Sequence, residues 1–141
     1  MPKVVSDPTY ALIRVRDVSK VYRSGEGDVE SLKPLDFDIH EGEFLSVVGP
    51  SGCGKSTLLK LVAGLLPATR GSIEIGGERV DGPASGVGIV FQSHVLLAWR
   101  TVLDNIMLPV EVRRLPRESY RERARALITM VGLEGFENKY P

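Results

Sequence analysis

Eight consecutive residues, Gly49-Pro50-Ser51-Gly52-Cys53-Gly54-Lys55-Ser56, have the types and spacing needed to hold a chain of phosphate groups. The pattern Gly-x-x-x-x-Gly-Lys-Ser puts glycine where a backbone must turn sharply and approach oxygen atoms with no Cβ in between. Successive N–H groups of such a loop point inward at an anion. The positive end of a helix starting near Lys55 adds to their pull. In this arrangement Lys55 reaches the β- and γ-phosphates of a nucleoside triphosphate, and Ser56 offers a hydroxyl to Mg²⁺, with Thr57 continuing the set. Cys53 is the single cysteine, which excludes an internal disulfide and fits a reducing cytosol. It has no evident chemistry of its own, because the loop works through its backbone.

A loop of this kind needs a strand to deliver it and a helix to receive it. Phe44, Leu45, Val47 and Val48 form a short apolar run that predicts a buried strand. Leu58, Leu59, Leu61, Val62, Leu65 and Leu66 recur at helical spacing as far as Pro67. Upstream, residues 1–8 read as a loose tail. Ala11 to Arg23 has strand character broken at Asp17, and residues 24–28 form a glycine-rich turn. Leu35, Phe37 and Ile39 alternate with polar residues up to the Glu41-Gly42 turn, which predicts a half-exposed strand. The two strands imply an antiparallel sheet beside an α/β core. Downstream, Ser72–Ile75 and Glu78–Val80 flank Gly76-Gly77 as a hairpin, and Val87–Phe91 is a continuous apolar run expected to be a buried strand. Val102–Val112 is apolar but interrupted by Pro109. Residues 117–131 predict an amphipathic helix with Tyr120, Ala124, Leu127, Ile128 and Val131 on one face.

Bulk properties narrow the function. At 141 residues the chain is one domain by the usual prior, with a core of ordinary hydrophobicity. Eighteen basic and eighteen acidic residues cancel, so no global field favours nucleic acid or an anionic membrane. No apolar run approaches a membrane span, and the N-terminal residues lack the apolar stretch of a secretory signal. His40 and His94 lie far apart with no cysteine or carboxylate cluster, so neither is expected to bind metal. The arginines between Arg113 and Arg125 interleave with Glu118 and Glu122 at helical spacing, which a solvated helix face explains better than an RNA-binding patch. A guanine-reading motif would need an aspartate where Asn138-Lys139-Tyr140 is followed by Pro141. The helix at 117–131 is too short for the coiled coil of a chromosome-type ATPase.

Gln92 closes the Val87–Phe91 run, at the carboxyl edge where ligands of parallel α/β folds sit, 37 residues beyond Lys55. With Phe91-Gln92 at that separation from a phosphate loop, the chain resembles the ATP-binding subunit of ATP-binding-cassette (ABC) transporters. The resemblance implies that Gln92 contacts Mg²⁺ and the attacking water, and that the segment after it docks on a transmembrane permease. Tyr22, within Val18-Ser-Lys-Val-Tyr-Arg23, matches the family's aromatic that stacks on adenine. Val90 through Pro109 is similar to the importers of nitrate, sulfonate, taurine and related solutes. Ser93 and Ala98 depart from that pattern, where an acidic residue and a proline are common. The resemblance leaves Trp99 either at the permease interface or packed inside.

The resemblance covers nearly the whole chain but only the first part of the family's domain. No Leu-Ser-Gly-Gly signature, no apolar strand ending in Asp-Glu and no switch histidine can be found. The expected fold is α/β, an ABC-ATPase core of the P-loop NTPase class with an N-terminal antiparallel β-subdomain and the start of a helical subdomain, truncated at its C-terminus. A core over 9–92 and an incomplete helical part over 93–141 are expected. The resemblance implies ATP and Mg²⁺ as cofactors. ATP contacts are implied for Tyr22, for each residue from Gly49 through Ser56, and for Thr57. Mg²⁺ contacts are implied for Ser56 and Gln92, and catalytic roles for Lys55 and Gln92. Its implied partners are permease subunits near Gln92–Trp99, a second copy of the full-length subunit and, indirectly, a periplasmic or lipid-anchored solute-binding protein, but no nucleic acid. Its implied place is the cytoplasmic face of the cell membrane. This chain alone is expected not to hydrolyse ATP. The alternatives are a P-loop ATPase with no membrane partner, or an inactive fragment.

Overall fold

The computed structural model describes residues 11–25 and 27–141. The tail expected over residues 1–8 lies outside them, as does Glu26 in the middle of the turn expected at 24–28. The chain forms two compact units that meet in sequence between Ile89 and Val90.

The first unit is a sheet with one helix against it. Strand β1 (Ala11–Ser24) pairs antiparallel with β2 (Gly27–His40) on one side and with β3 (Arg70–Ile75) on the other. Strand β4 (Glu78–Arg79) closes a hairpin with β3 across Gly76-Gly77, as expected, giving the order β2-β1-β3-β4. β2 begins eight residues before Leu35, where the alternation becomes legible. It accommodates Pro34 because it is an edge strand, where a missing N–H breaks no second ladder.

The break expected at Asp17 is a bulge, and β1 runs on through it. Asp17 has φ 49°, and the register shifts between Val15 and Val18. Three residues apart, these two valines would face opposite sides of a regular strand. The bulge turns both inward, and both are fully buried. The Asp17 N–H donates to Asp36 Oδ1 at 3.0 Å, and its carboxylate meets Arg70 at 2.7 Å. Gly71, with φ 84°, passes so close to the Arg16 and Asp17 carbonyls that no Cβ would fit.

Helix α1 (Lys55–Val62) lays Leu58 and Leu61 on this sheet, in a core with Val15, Val18, Leu32 and Ile73. It is shorter than its leucine pattern. Gly64, left-handed at φ 70°, ends it before Pro67 is reached, and the Leu65 N–H bonds back to the Lys60 carbonyl. Leu65 lies beyond that end and is exposed, and Leu59 within the helix is exposed as well.

Two expected strands do not form. Residues 43–50 and 87–92 have no regular structure, and Phe44 and Val48 are 93% and 89% exposed. An apolar parallel strand is defined by neighbours on both edges and layers on both faces. Among the described residues neither segment has a strand partner.

The second unit is a helix pair, α2 (Val102–Val112) and α3 (Arg117–Met130). α2 forms despite Pro109, because Leu103, Met107 and Val110 bury a stripe against Ala124 and Ile128 of α3. The face read for α3 is narrower than expected. Ala124 and Ile128 are buried and Tyr120 packs beside them, but Leu127 and Val131 are exposed.

The start of α2 is fully capped. The Val102 and Leu103 N–H groups donate to the Lys139 and Glu137 carbonyls at 2.9 and 3.0 Å. The Asp104 N–H donates to Thr101 Oγ1 at 3.1 Å, and the Thr101 hydroxyl returns a bond to Asp104 Oδ2 at 2.9 Å. Arg117 joins Asp104 to Glu111, and Arg100 also reaches Glu111. Asn105 bonds the backbone of Leu97, Arg100 and Thr101, which shapes the turn that carries Trp99.

Thr101→Ala should destabilise this unit by about 1 kcal/mol, the ordinary cost of a lost N-cap. The Thr101 hydroxyl, followed by the Arg117 guanidinium, holds the Asp104 carboxyl below the usual carboxylate range. Its contribution is therefore complete at neutral pH and disappears as pH falls through the depressed value. Asp104→Asn should lower the denaturant midpoint at pH 7. The gap from wild type should close in strong acid, below the ordinary value of about 4.

Candidate functional site

The phosphate-type loop sits between the irregular segment after β2 and the start of α1. Gly52 and Gly54 have φ 81° and 95°, the left-handed turns that the glycine spacing anticipates. Gly54 is the N-cap of α1 and is buried, with its Cα against the Ser31 carbonyl and the Leu32 side chain of β2. A Cβ there would strike the backbone of Ser31, so glycine is required twice over, by conformation and by space.

Beyond the cap, the N–H groups of Lys55, Ser56 and Thr57 have no preceding turn to bond to. Among the described residues no backbone carbonyl accepts from them, the cap carries no side-chain bond, and the first turn has no acidic residue. α2 has every equivalent group satisfied. Three donors at the positive end of a helix favour an anion.

The Lys55 ammonium folds over the loop, donating to the Gly49 and Pro50 carbonyls at 2.7 Å each, with Cys53 Sγ at 3.5 Å. No carboxylate is among these partners, so the charge is held by neutral oxygens. Pro50, Ser51 and Cys53 lie on the exposed outside of the turn, and the Ser56 side chain is exposed. Thr57 is half-buried, its Oγ1 2.9 Å from Ser31 Oγ. Donor N–H groups, an ammonium and two hydroxyls on adjacent residues suit a polyphosphate and a hard cation.

Tyr22 stands near the end of β1, exposed, opposite Val29 of β2. The Lys20 ammonium lies 5.4 Å from the centre of its ring while donating to the Pro67 carbonyl at 2.7 Å. The Val21 N–H donates to Thr69 Oγ1 at 3.0 Å. The segment following α1 thus pins the strand end that carries the tyrosine.

Gln92 belongs to the second unit. Because residues 87–92 form no strand, it does not end one, and it is exposed on an irregular segment. Trp99 is 75% exposed, so internal packing is not its role here, and Val95 and Leu96 are exposed with it. His40 bonds Glu43 at the end of β2, holding the Glu43 carboxyl below its ordinary range. Among the described residues no group of His, Cys, Asp and Glu side chains gathers to hold a metal. Ser31 escaped the sequence reading. A serine beside a buried leucine in a strand carries no signal until the strand's partner is known.

The profile of the ABC transporter family matches residues 32–141. An uncharacterized ABC transporter ATP-binding protein of Methanocaldococcus jannaschii is 42% identical over 129 residues, 92% of this chain and 48% of the relative. The aliphatic sulfonates import ATP-binding protein SsuB of Bacillus anthracis is 39% identical, over 92% of this chain and 50% of its own. The taurine import ATP-binding protein TauB of Escherichia coli is 41% identical, over 81% and 45%. Among solved structures, the dimeric post-hydrolysis state of an ATP-binding cassette bound to ADP and phosphate superposes with a TM-score of 0.79. It is 32% identical, over 92% of this chain and 61% of that one. The chain spans about half the length of the curated relatives it matches.

Lys55→Ala removes the charge that, among the described residues, lies over the loop. One charge-assisted contact contributes roughly 1.5–3 kcal/mol, so affinity for Mg·ATP should fall about tenfold to a hundredfold. Titration with a fluorescent ATP analogue reads this directly, and an unchanged affinity would remove the loop from nucleotide binding.

Proposed function

The chain belongs to the ABC transporter family, and from that membership we propose that it carries the ATP grip of the energy-coupling subunit of a small-solute importer. The observation that carries this reading is the uncapped start of α1 beneath the Lys55 ammonium. Gly49 through Thr57 wrap the phosphates. The backbone N–H groups of Lys55, Ser56 and Thr57 donate to their oxygens, and the ammonium leaves the Gly49 and Pro50 carbonyls to meet the terminal groups. By the family resemblance Ser56 would offer its hydroxyl, and Gln92 its side-chain oxygen, to Mg²⁺, which would offset the negative charge of the phosphate chain. Gln92 also orients the water. Tyr22 supplies a flat face for adenine, since a ring tolerates a base by stacking alone.

In this reading residues 9–92 form the nucleotide-binding core with its antiparallel sheet, and 93–141 open the helical subdomain. The segment from Gln92 to Trp99 meets a transmembrane permease, with Val95, Leu96 and Trp99 as its apolar contacts. All three are exposed and so are available for such a contact. No described helix is long and apolar enough to cross a membrane. In this reading the permease is a separate partner and the chain lies at the inner face, as the import ATP-binding proteins among its relatives suggest. Two copies of the complete subunit form the working unit, as the dimeric state of the structural neighbour supports. The names of two relatives point to sulfonates and taurine as solutes, and the resemblance of the segment ending at Pro109 adds nitrate as a further candidate. The solute itself is selected by the permease and its binding protein.

Comparing ATP with inorganic triphosphate tests the nucleotide assignment. Tyr22→Ala should weaken ATP by roughly 1–3 kcal/mol, the worth of one stacked base. Triphosphate, which has no base, should bind the variant as it binds wild type. Equal losses for the two ligands would mean that Tyr22 acts through the fold.

A further inference from the structure

Ser31 occupies an unusual place in β2. Lys20 of β1 pairs with Leu32 and Val21 with Glu30, so Ser31 is the extra residue of a bulge. A bulge frees its residue from the ladder and re-aims it. Here the freed carbonyl lies against Gly54, and the hydroxyl lies 2.9 Å from Thr57 Oγ1. Leu32, the next residue, is buried with Leu58. Three adjacent contacts therefore fix the first turn of α1 from the strand side, and only the hydroxyl pair involves a group that can give or take a proton in two ways.

The direction of that bond matters. Thr57 has one proton and two lone pairs on Oγ1. If it donates to Ser31, it has none to give to a phosphate oxygen. If Ser31 donates, the Thr57 proton is free, and its oxygen is held in place by the bond it accepts. We propose that Ser31 is a positioning residue for nucleotide binding. Its hydroxyl donates to Thr57 Oγ1 and so commits the Thr57 O–H to a phosphate oxygen. The inference rests on the nucleotide reading of the loop and adds to it a residue outside the loop, on a different element.

The test is a double-mutant cycle on the 141-residue chain, with Mg·ATP affinity from a fluorescent analogue and a melting temperature for every variant. Ser31→Ala should weaken Mg·ATP by about three- to tenfold, the effect of one neutral hydrogen bond. Ser31→Thr, which keeps the hydroxyl on a residue suited to a strand, should restore it. In a Thr57→Val background, Ser31→Ala should cause no further loss, because the hydroxyl then has nothing to orient. Losses that multiply in the double variant, or a Ser31→Thr that fails to rescue, would overturn the proposal. So would an unchanged affinity in Ser31→Ala. If Ser31→Ala does not fold, Ser31→Cys takes its place: its weaker donor should give an intermediate affinity, and wild-type affinity would be the contrary result. Lys55→Ala runs alongside. Should wild type and Lys55→Ala bind alike, the nucleotide reading falls and takes this inference with it. Should binding depend on Lys55 but ignore Ser31, only the inference falls.

Discussion

Two leucines hold the site in place. Leu58 and Leu61 are the buried residues of α1, and an eight-residue helix is too short to persist in water without such packing. Everything the loop offers an anion hangs on where that helix begins. The helix begins where it does because Leu58 must meet Leu32, Val15, Val18 and Ile73. Val15 and Val18 can share that face only through the bulge at Asp17. A distortion in the first strand thus governs the direction of three amides in a loop some forty residues later.

What the sequence revealed and what it hid divide along one physical line. Features set by local stereochemistry were legible: the glycine turns of the loop, the Gly76-Gly77 hairpin, and α3 with its buried Ala124 and Ile128. Features set by distant partners were not. Phe44 to Val48 and Val87 to Phe91 have the composition of buried parallel strands, yet composition cannot supply the neighbours that make a strand. The end of α1 is hidden in the sequence because apolar spacing continues through Leu66, while the left-handed Gly64 has already turned the chain. α2 was obscured by Pro109, since a proline is a local signal and the buried stripe that overrides it is a tertiary one. In the candidate loop, Lys55, Ser56 and Gly54 stand out by their spacing. Ser31 does not, because its meaning comes from a bulge that exists only once β1 and β2 are paired.

The second unit has a different logic. Its helices are joined by a modest apolar stripe and by a ring of charged partners in which Arg117 bridges Asp104 and Glu111. Asn105 spends its amide on the turn before the helix, so the geometry of the Trp99 segment is set from inside the helix pair. An exposed tryptophan on a turn with fixed backbone bonds differs from one on a slack loop. Its presentation is built into the fold, so the permease contact proposed for it would meet little opposing ordering entropy.

The two helix starts behave oppositely toward solvent deuterium. The amides of Val102 and Leu103 are covered by the carbonyls of Lys139 and Glu137, so each exchanges only when that closing segment lifts away. Among the described residues no carbonyl covers the amides of Lys55, Ser56 and Thr57, so they should exchange as fast as water reaches them. Occupation of the loop by an anion, as proposed, would slow exchange at those three positions while the pair in α2 stays under its own carbonyls. Exchange at three consecutive amides is therefore a built-in gauge of site occupancy, with two others in the same chain as its internal reference.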